Sequence, residues 1–119
     1  MVSSFSNYGA SNVDIFAPGG GIYSTMPNNE YTFQGGTSMA APAVSGIAAL
    51  IISRFQKLSA VQVKKIIIRS GLSVKTPVIL AGSSDLSKPF SEVSRSGKIA
   101  NAYNALILAD QVANGKISL

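Results

Sequence analysis

From Met39 to Ile52 the chain runs almost without a polar side chain, interrupted by Pro42, Ser45 and Gly46. Val44, Ile47, Ala48, Leu50 and Ile51 fall on nearly every side of a helix wound at 3.6 residues per turn, so no face is left for water. Such a helix belongs at the centre of a domain. At about 14 residues the stretch is shorter than the roughly 20 needed to cross a bilayer, which makes it a buried helix and not a span.

The approach to this helix carries the chemistry. Gly35 and Gly36 suit a sharp turn, because glycine takes backbone angles closed to other residues. Thr37 follows as the expected N-cap. Ser38 then falls in the first turn, where backbone N–H groups lack intrahelical partners and the helix dipole is positive, and both features favour an oxyanion. Pro42 has no N–H to offer the Ser38 carbonyl, so the helix is expected to bend or loosen there. A serine so placed is a candidate nucleophile, yet its hydroxyl needs a base, and the chain contains no histidine.

Four blocks of sequence extend the pattern. Residues 36–46 read GTSMAAPAVSG, residues 4–9 read SFSNYG, and residues 13–25 hold VDIFAPG followed by IYST; residues 96–106 read SGKIANAYNAL. In this order and spacing they resemble the subtilisin-like serine proteases, the subtilases. The resemblance implies an α/β chain with a partial subtilisin-like fold: a nucleophile helix, a few strands including a hairpin, and two further C-terminal helices. It implies that residues 1–119 are the C-terminal segment of a catalytic domain, a single incomplete domain with room for rearranged or swapped packing.

The resemblance also assigns roles. Ser38 is the implied nucleophile, its own N–H one oxyanion donor, and Gly35, Gly36 and Thr37 the substrate-facing loop; peptides or proteins are the implied substrates and no cofactor is expected, and although some subtilases bind calcium, no metal is expected from the residues of this chain. The family's aspartate, histidine and oxyanion asparagine blocks precede the serine by more than the 37 residues available here. Asp14 lies in a block where the family keeps a structural residue and is read as such. Ala43 stands where many relatives carry a histidine that is not the catalytic one. A secreted or cell-envelope setting is implied, although Met1-Val2-Ser3-Ser4 does not begin a signal peptide.

Composition then bounds the function. Hydrophobic residues make up 46% of the 119 and charged residues 13%, so the chain holds more apolar surface than a small domain hides easily. Two readings follow. One is a serine endopeptidase segment that is inactive alone; the other is a non-catalytic module that binds the missing N-terminal part, or forms a homo-oligomer, through exposed apolar surface. The net charge of +5 is spread over the chain without an aromatic-interleaved patch, which argues against nucleic acid. No membrane partner is expected. The absence of cysteine excludes disulfides and thiol chemistry.

Local signals place the remaining elements. Val13–Phe16 reads as a short strand, and 22–26 and 31–34 as a hairpin turning at Pro27-Asn28-Asn29. Ser59 and Gln62 form a capping box, Val61, Val63 and Ile66 to Ile68 give that helix an apolar face, and Gly71 closes it. Residues 73–80 read as extended and 82–96 as an exposed loop. Asn101 starts a last helix that runs through Val112. Asn7, Asp14, Asn28, Asn29, Glu30 and Asp85 do not match the spacing of a compact calcium loop. Tyr8, Tyr23, Tyr31 and Phe33 are expected to pack in the core or on the hairpin.

Overall fold

The computed structural model describes residues 2–80 and 87–119. Its elements are β1 (Ile22–Met26), β2 (Glu30–Gln34), α1 (Thr37–Arg54), α2 (Ala60–Ser70), β3 (Leu72–Ser73), β4 (Val78–Ile79), β5 (Ser87–Lys88), β6 (Lys98–Ile99) and α3 (Ala102–Ala113). β1 and β2 form the expected hairpin, in antiparallel register from Ile22 opposite Gln34 to Met26 opposite Glu30. Pro27 presets the turn, and Asn28 and Asn29 take φ of 64° and 66°, a left-handed region that asparagine tolerates better than most residues. Tyr23 packs on Phe33 and Tyr31, with ring centroids 4.9 and 6.0 Å away. These rings lie on the hairpin and outside the core, each more than half exposed.

A small mixed sheet joins the N-terminal segment to the end of the chain. The strand expected at 13–16 shrinks to a single ladder position, a parallel bridge from Phe16 to Ile99. The Phe16 N–H donates to the Lys98 carbonyl at 3.1 Å, and the Phe16 carbonyl accepts from the Ala100 N–H at 2.8 Å. β6 pairs antiparallel with β3 on its other side. Side chains alternate along these pieces. Ile15 and Ala100 pack on one hydrophobic cluster, while Phe16 and Ile99 pack on another.

The first cluster is helical. Ile47 and Ile51 of α1, Val63, Ile66 and Ile67 of α2, and Ala105 and Ala109 of α3 form it. Local chemistry starts two of these helices: the Ser59 hydroxyl accepts from the Gln62 N–H while the Gln62 side chain accepts from the Ser59 N–H. At α3 the Asn101 side chain accepts from the Asn104 N–H at 2.8 Å. Gly71 follows α2 as its C-cap.

The second cluster corrects the expected exposed loop. Residues 82–86, Asp85 among them, lie outside the described residues; Ser87–Lys88 form β5 and residues 90–92 a 3-10 turn. Phe90 and Val93 are buried with Val78 and Leu80. The buried Ser94 hydroxyl accepts from the Gly97 N–H at 3.0 Å. Serine-rich composition concealed a core segment, because two apolar side chains four residues or fewer apart carry little periodicity.

α1 departs furthest from expectation. Its buried residues are Ile47 and Ile51, and Leu50 and Ile52 stand about half exposed. At 18 residues it also exceeds the expected 14 and is long and apolar enough, by length and composition, to cross a membrane. Its packing on α2 and α3 shows a helix built against protein. The molecule is a slab of 47 × 42 × 20 Å, too thin to wrap this helix on all sides.

Candidate functional site

The turn before α1 is fixed by a contact between two glycines. Gly36 takes φ 157° and ψ 164°, a region essentially reserved for glycine. Its N–H donates to the Gly19 carbonyl at 2.7 Å, and its own carbonyl accepts from the Met39 N–H at 3.0 Å. A Cβ at Gly19 would lie 2.7 Å from the Gly36 carbonyl oxygen. Gly19 and Gly36 therefore press backbone against backbone. Gly36, not Thr37, is the N-cap, and no side chain caps the helix. The hydrogen bond from Met39 begins the helical turn one residue earlier than threonine capping would.

Ser38 is consequently the second residue of α1, and it is exposed. Among the described residues neither its hydroxyl nor its backbone N–H makes a hydrogen bond, which leaves an unpartnered donor at the positive end of the helix. Gly35 and Thr37 are exposed beside it. Pro42 lies inside the continuous helix and withholds an N–H from the Ser38 carbonyl.

A cleft of about 300 Å³ adjoins this turn, walled by Gly19, Gly36, Thr37 and Ala40 together with Phe5 and Phe16. The two phenylalanines were recognised in sequence as members of motif blocks but not as neighbours of the serine turn. Long-range contacts bring them there, the Gly19–Gly36 hydrogen bond and the pairing of Phe16 with residues 98 and 100 among them, and no local periodicity reports these.

Asp14 is engaged elsewhere. Its carboxylate meets Lys64 Nζ at 2.8 Å and Arg95 Nη1 at 2.9 Å, and it lines a separate groove between α1 and α2. The hydrogen bond from Lys64 holds its carboxyl below the ordinary carboxylate range, with the attraction of Lys64 and Arg95 adding to it against a partial loss of hydration. This is a structural tie from the N-terminal segment to α2 and residue 95. Among the described residues no three His, Cys, Asp or Glu side chains come together to share a metal ion.

The model of the subtilase family matches residues 1–106. The chain belongs to the subtilase family. Subtilisin DY of Bacillus licheniformis is 53% identical over 62 residues, which cover 52% of this subtilase chain and 22% of its own length. Thermitase of Thermoactinomyces vulgaris is 53% identical over 57 residues, covering 48% of this chain and 20% of thermitase. The chain thus spans about a fifth of the length of these relatives. Among solved structures, that of the subtilase cytotoxin SubAB assembly superimposes with a TM-score of 0.73 at 23% identity, over 92% of this chain and 30% of the other. The mixed helix and strand architecture is therefore that of part of a subtilase domain.

Proposed function

We propose that residues 1–119 are the C-terminal segment of a subtilase catalytic domain and that Ser38 is its nucleophile for hydrolysis of peptide bonds. The observation that carries this is the geometry of Ser38: an exposed hydroxyl and an unbonded N–H, held at a helix N-terminus by a glycine-only turn. In the assembled enzyme a histidine removes the Ser38 proton, and Oγ attacks the peptide carbonyl. The oxyanion then faces the Ser38 N–H, the protonated histidine gives its proton to the leaving amine, and water hydrolyses the acyl-enzyme. Gly35, Gly36 and Thr37 border the substrate.

Alone, the chain is inert, because it has neither the histidine to activate Ser38 nor an asparagine from an upstream block to complete the oxyanion hole. Fluorophosphonate labelling followed by intact and peptide mass spectrometry tests both parts. The chain should stay unlabelled in plain buffer, and added imidazole should produce labelling at Ser38 that Ser38→Ala abolishes. Rapid stoichiometric labelling without imidazole would overturn the inertness, and imidazole-dependent labelling scattered over other hydroxyls would overturn the assignment of Ser38.

A further inference from the structure

The hairpin that leads into the serine turn carries an aromatic face with no core behind it. Tyr23 stands opposite Phe33 and Thr25 opposite Tyr31, so these four side chains share one face of the strand pair. Ile22, Ser24 and Met26, opposite Gln34, Thr32 and Glu30, occupy the other. Neither face is wholly apolar, and every residue from 23 to 33 is exposed. An antiparallel pair without an apolar side is built to stand in water. It remains surface whatever further chain packs on the helices.

The rings pack on one another instead. Tyr23 meets Phe33 at a tilt of 49° and stacks on Tyr31 at 23°, which gathers three ring systems into one patch. Exposure of 59% at Tyr23, 60% at Tyr31 and 69% at Phe33 leaves about 400 Å² of aromatic surface, taking ~200 Å² for each residue. That is half of the ~800 Å² that each partner brings to a standard interface. The patch is too small to hold two copies of this chain together, and large enough for a few side chains of a peptide. Exposed patches of about this area are often functional.

Charge names the kind of side chain. Residues 1–53 contain no lysine or arginine, and all ten of these residues fall in 54–119. The first stretch has two carboxylates, Asp14 and Glu30. Asp14 is held by Lys64 and Arg95, whereas the Glu30 carboxylate has neither an ion pair nor a hydrogen bond among the described residues. Glu30 adjoins Tyr31 at the turn end of the hairpin. Among the described residues the cation placed over a ring is Arg54, against its neighbour Phe55 and not on the hairpin. Three clustered rings and an unpaired carboxylate thus share a stretch that supplies no cation of its own. The negative faces of such rings attract cations, guanidinium most often.

We propose that the hairpin face of Tyr23, Tyr31 and Phe33, with Glu30 at its end, binds arginine side chains on an extended segment of another polypeptide. This rests on the hairpin alone and not on any role for Ser38. The test titrates the full isotope-labelled chain, followed by NMR, with the peptide Ser-Arg-Gly-Arg-Gly-Arg-Ser. A second peptide carries citrulline, uncharged but of the same shape, in place of each arginine. At low salt the arginine peptide should shift the amides of residues 23–33 saturably, and the citrulline peptide should bind at least about fivefold more weakly. Phe33→Leu keeps an apolar side chain but loses the ring, and should weaken binding at least about threefold, whereas Phe33→Trp should hold or tighten it. Glu30→Gln should weaken binding at low salt and matter less at high salt. Circular dichroism checks that each variant keeps its fold. No saturable shift, or a Phe33→Leu chain that binds as tightly as the native one, would overturn the proposal. Equal binding of the two peptides would overturn it in favour of plain apolar docking. A chain that sediments as a dimer, and that Phe33→Leu makes monomeric, would overturn it in favour of a second copy.

Discussion

Replacing Asp14 by asparagine removes one negative charge from between two cations while keeping the size and shape of the side chain. In the native chain the carboxylate lies 2.8 Å from Lys64 Nζ and 2.9 Å from Arg95 Nη1, with both cations more than half exposed. Water and salt screen such pairs, so each contributes roughly 0.2–1 kcal/mol and the two together about 1 kcal/mol. In a domain of this size that corresponds to a fall in Tm of about 4 °C. The pH dependence has a definite sign. Asp14 has its folded pKa depressed, so its contribution is complete above the unfolded value of about 3.9 and disappears as pH falls through the lower folded value. Thermal unfolding of D14N should therefore differ from wild type at pH 7, differ less in 1 M NaCl, and converge with it in acid below both values. A double-mutant cycle with Lys64→Met isolates the coupling. A gap indifferent to salt and acid, or a coupling energy under about 0.2 kcal/mol, would refute the ion-pair account and leave Asp14 as a packing residue.

Gly36→Ala should destabilise the fold by about 1–3 kcal/mol in urea titrations, the strain of placing a Cβ at φ 157° and ψ 164°; an unchanged midpoint would mean that the turn does not need glycine. Phe90→Ala should cost about 3–5 kcal/mol by the same measurement, because the ring is buried against Phe16 at 5.1 Å between centroids. A loss below about 1 kcal/mol would return residues 87–96 to the surface.

What could be read from sequence was local. The hairpin followed from Pro27-Asn28-Asn29, α2 from Ser59 and Gln62, and α3 from Asn101, since each of these residues acts on backbone groups within four positions of itself. The turn ahead of Ser38 was legible for the same reason, although the cap proved to be Gly36 and not Thr37. What escaped depends on distant partners. Asp14 finds Lys64 and Arg95, Gly19 meets Gly36, and Phe90 meets Phe16, and no window of neighbouring residues contains both members of any pair. The exposure of Leu50 and Ile52 was legible only as a surplus of apolar residues, because composition counts apolar side chains without saying which of them stay at the surface.

The alternation of Ile15 and Phe16 has a consequence for how this stretch can vary. Ile15 belongs with the helices and Phe16 with the segment after β5, so two adjacent codons answer to separate sets of distant residues. Moving the segment by one position would bring Phe16 or Asp14 to the place where Ile15 packs, and Ala17 or Ile15 to the place of Phe16, disturbing both clusters at once. Insertions and deletions are therefore tolerated poorly between Gly9 and Phe16 and more easily at the exposed tip formed by residues 27–29.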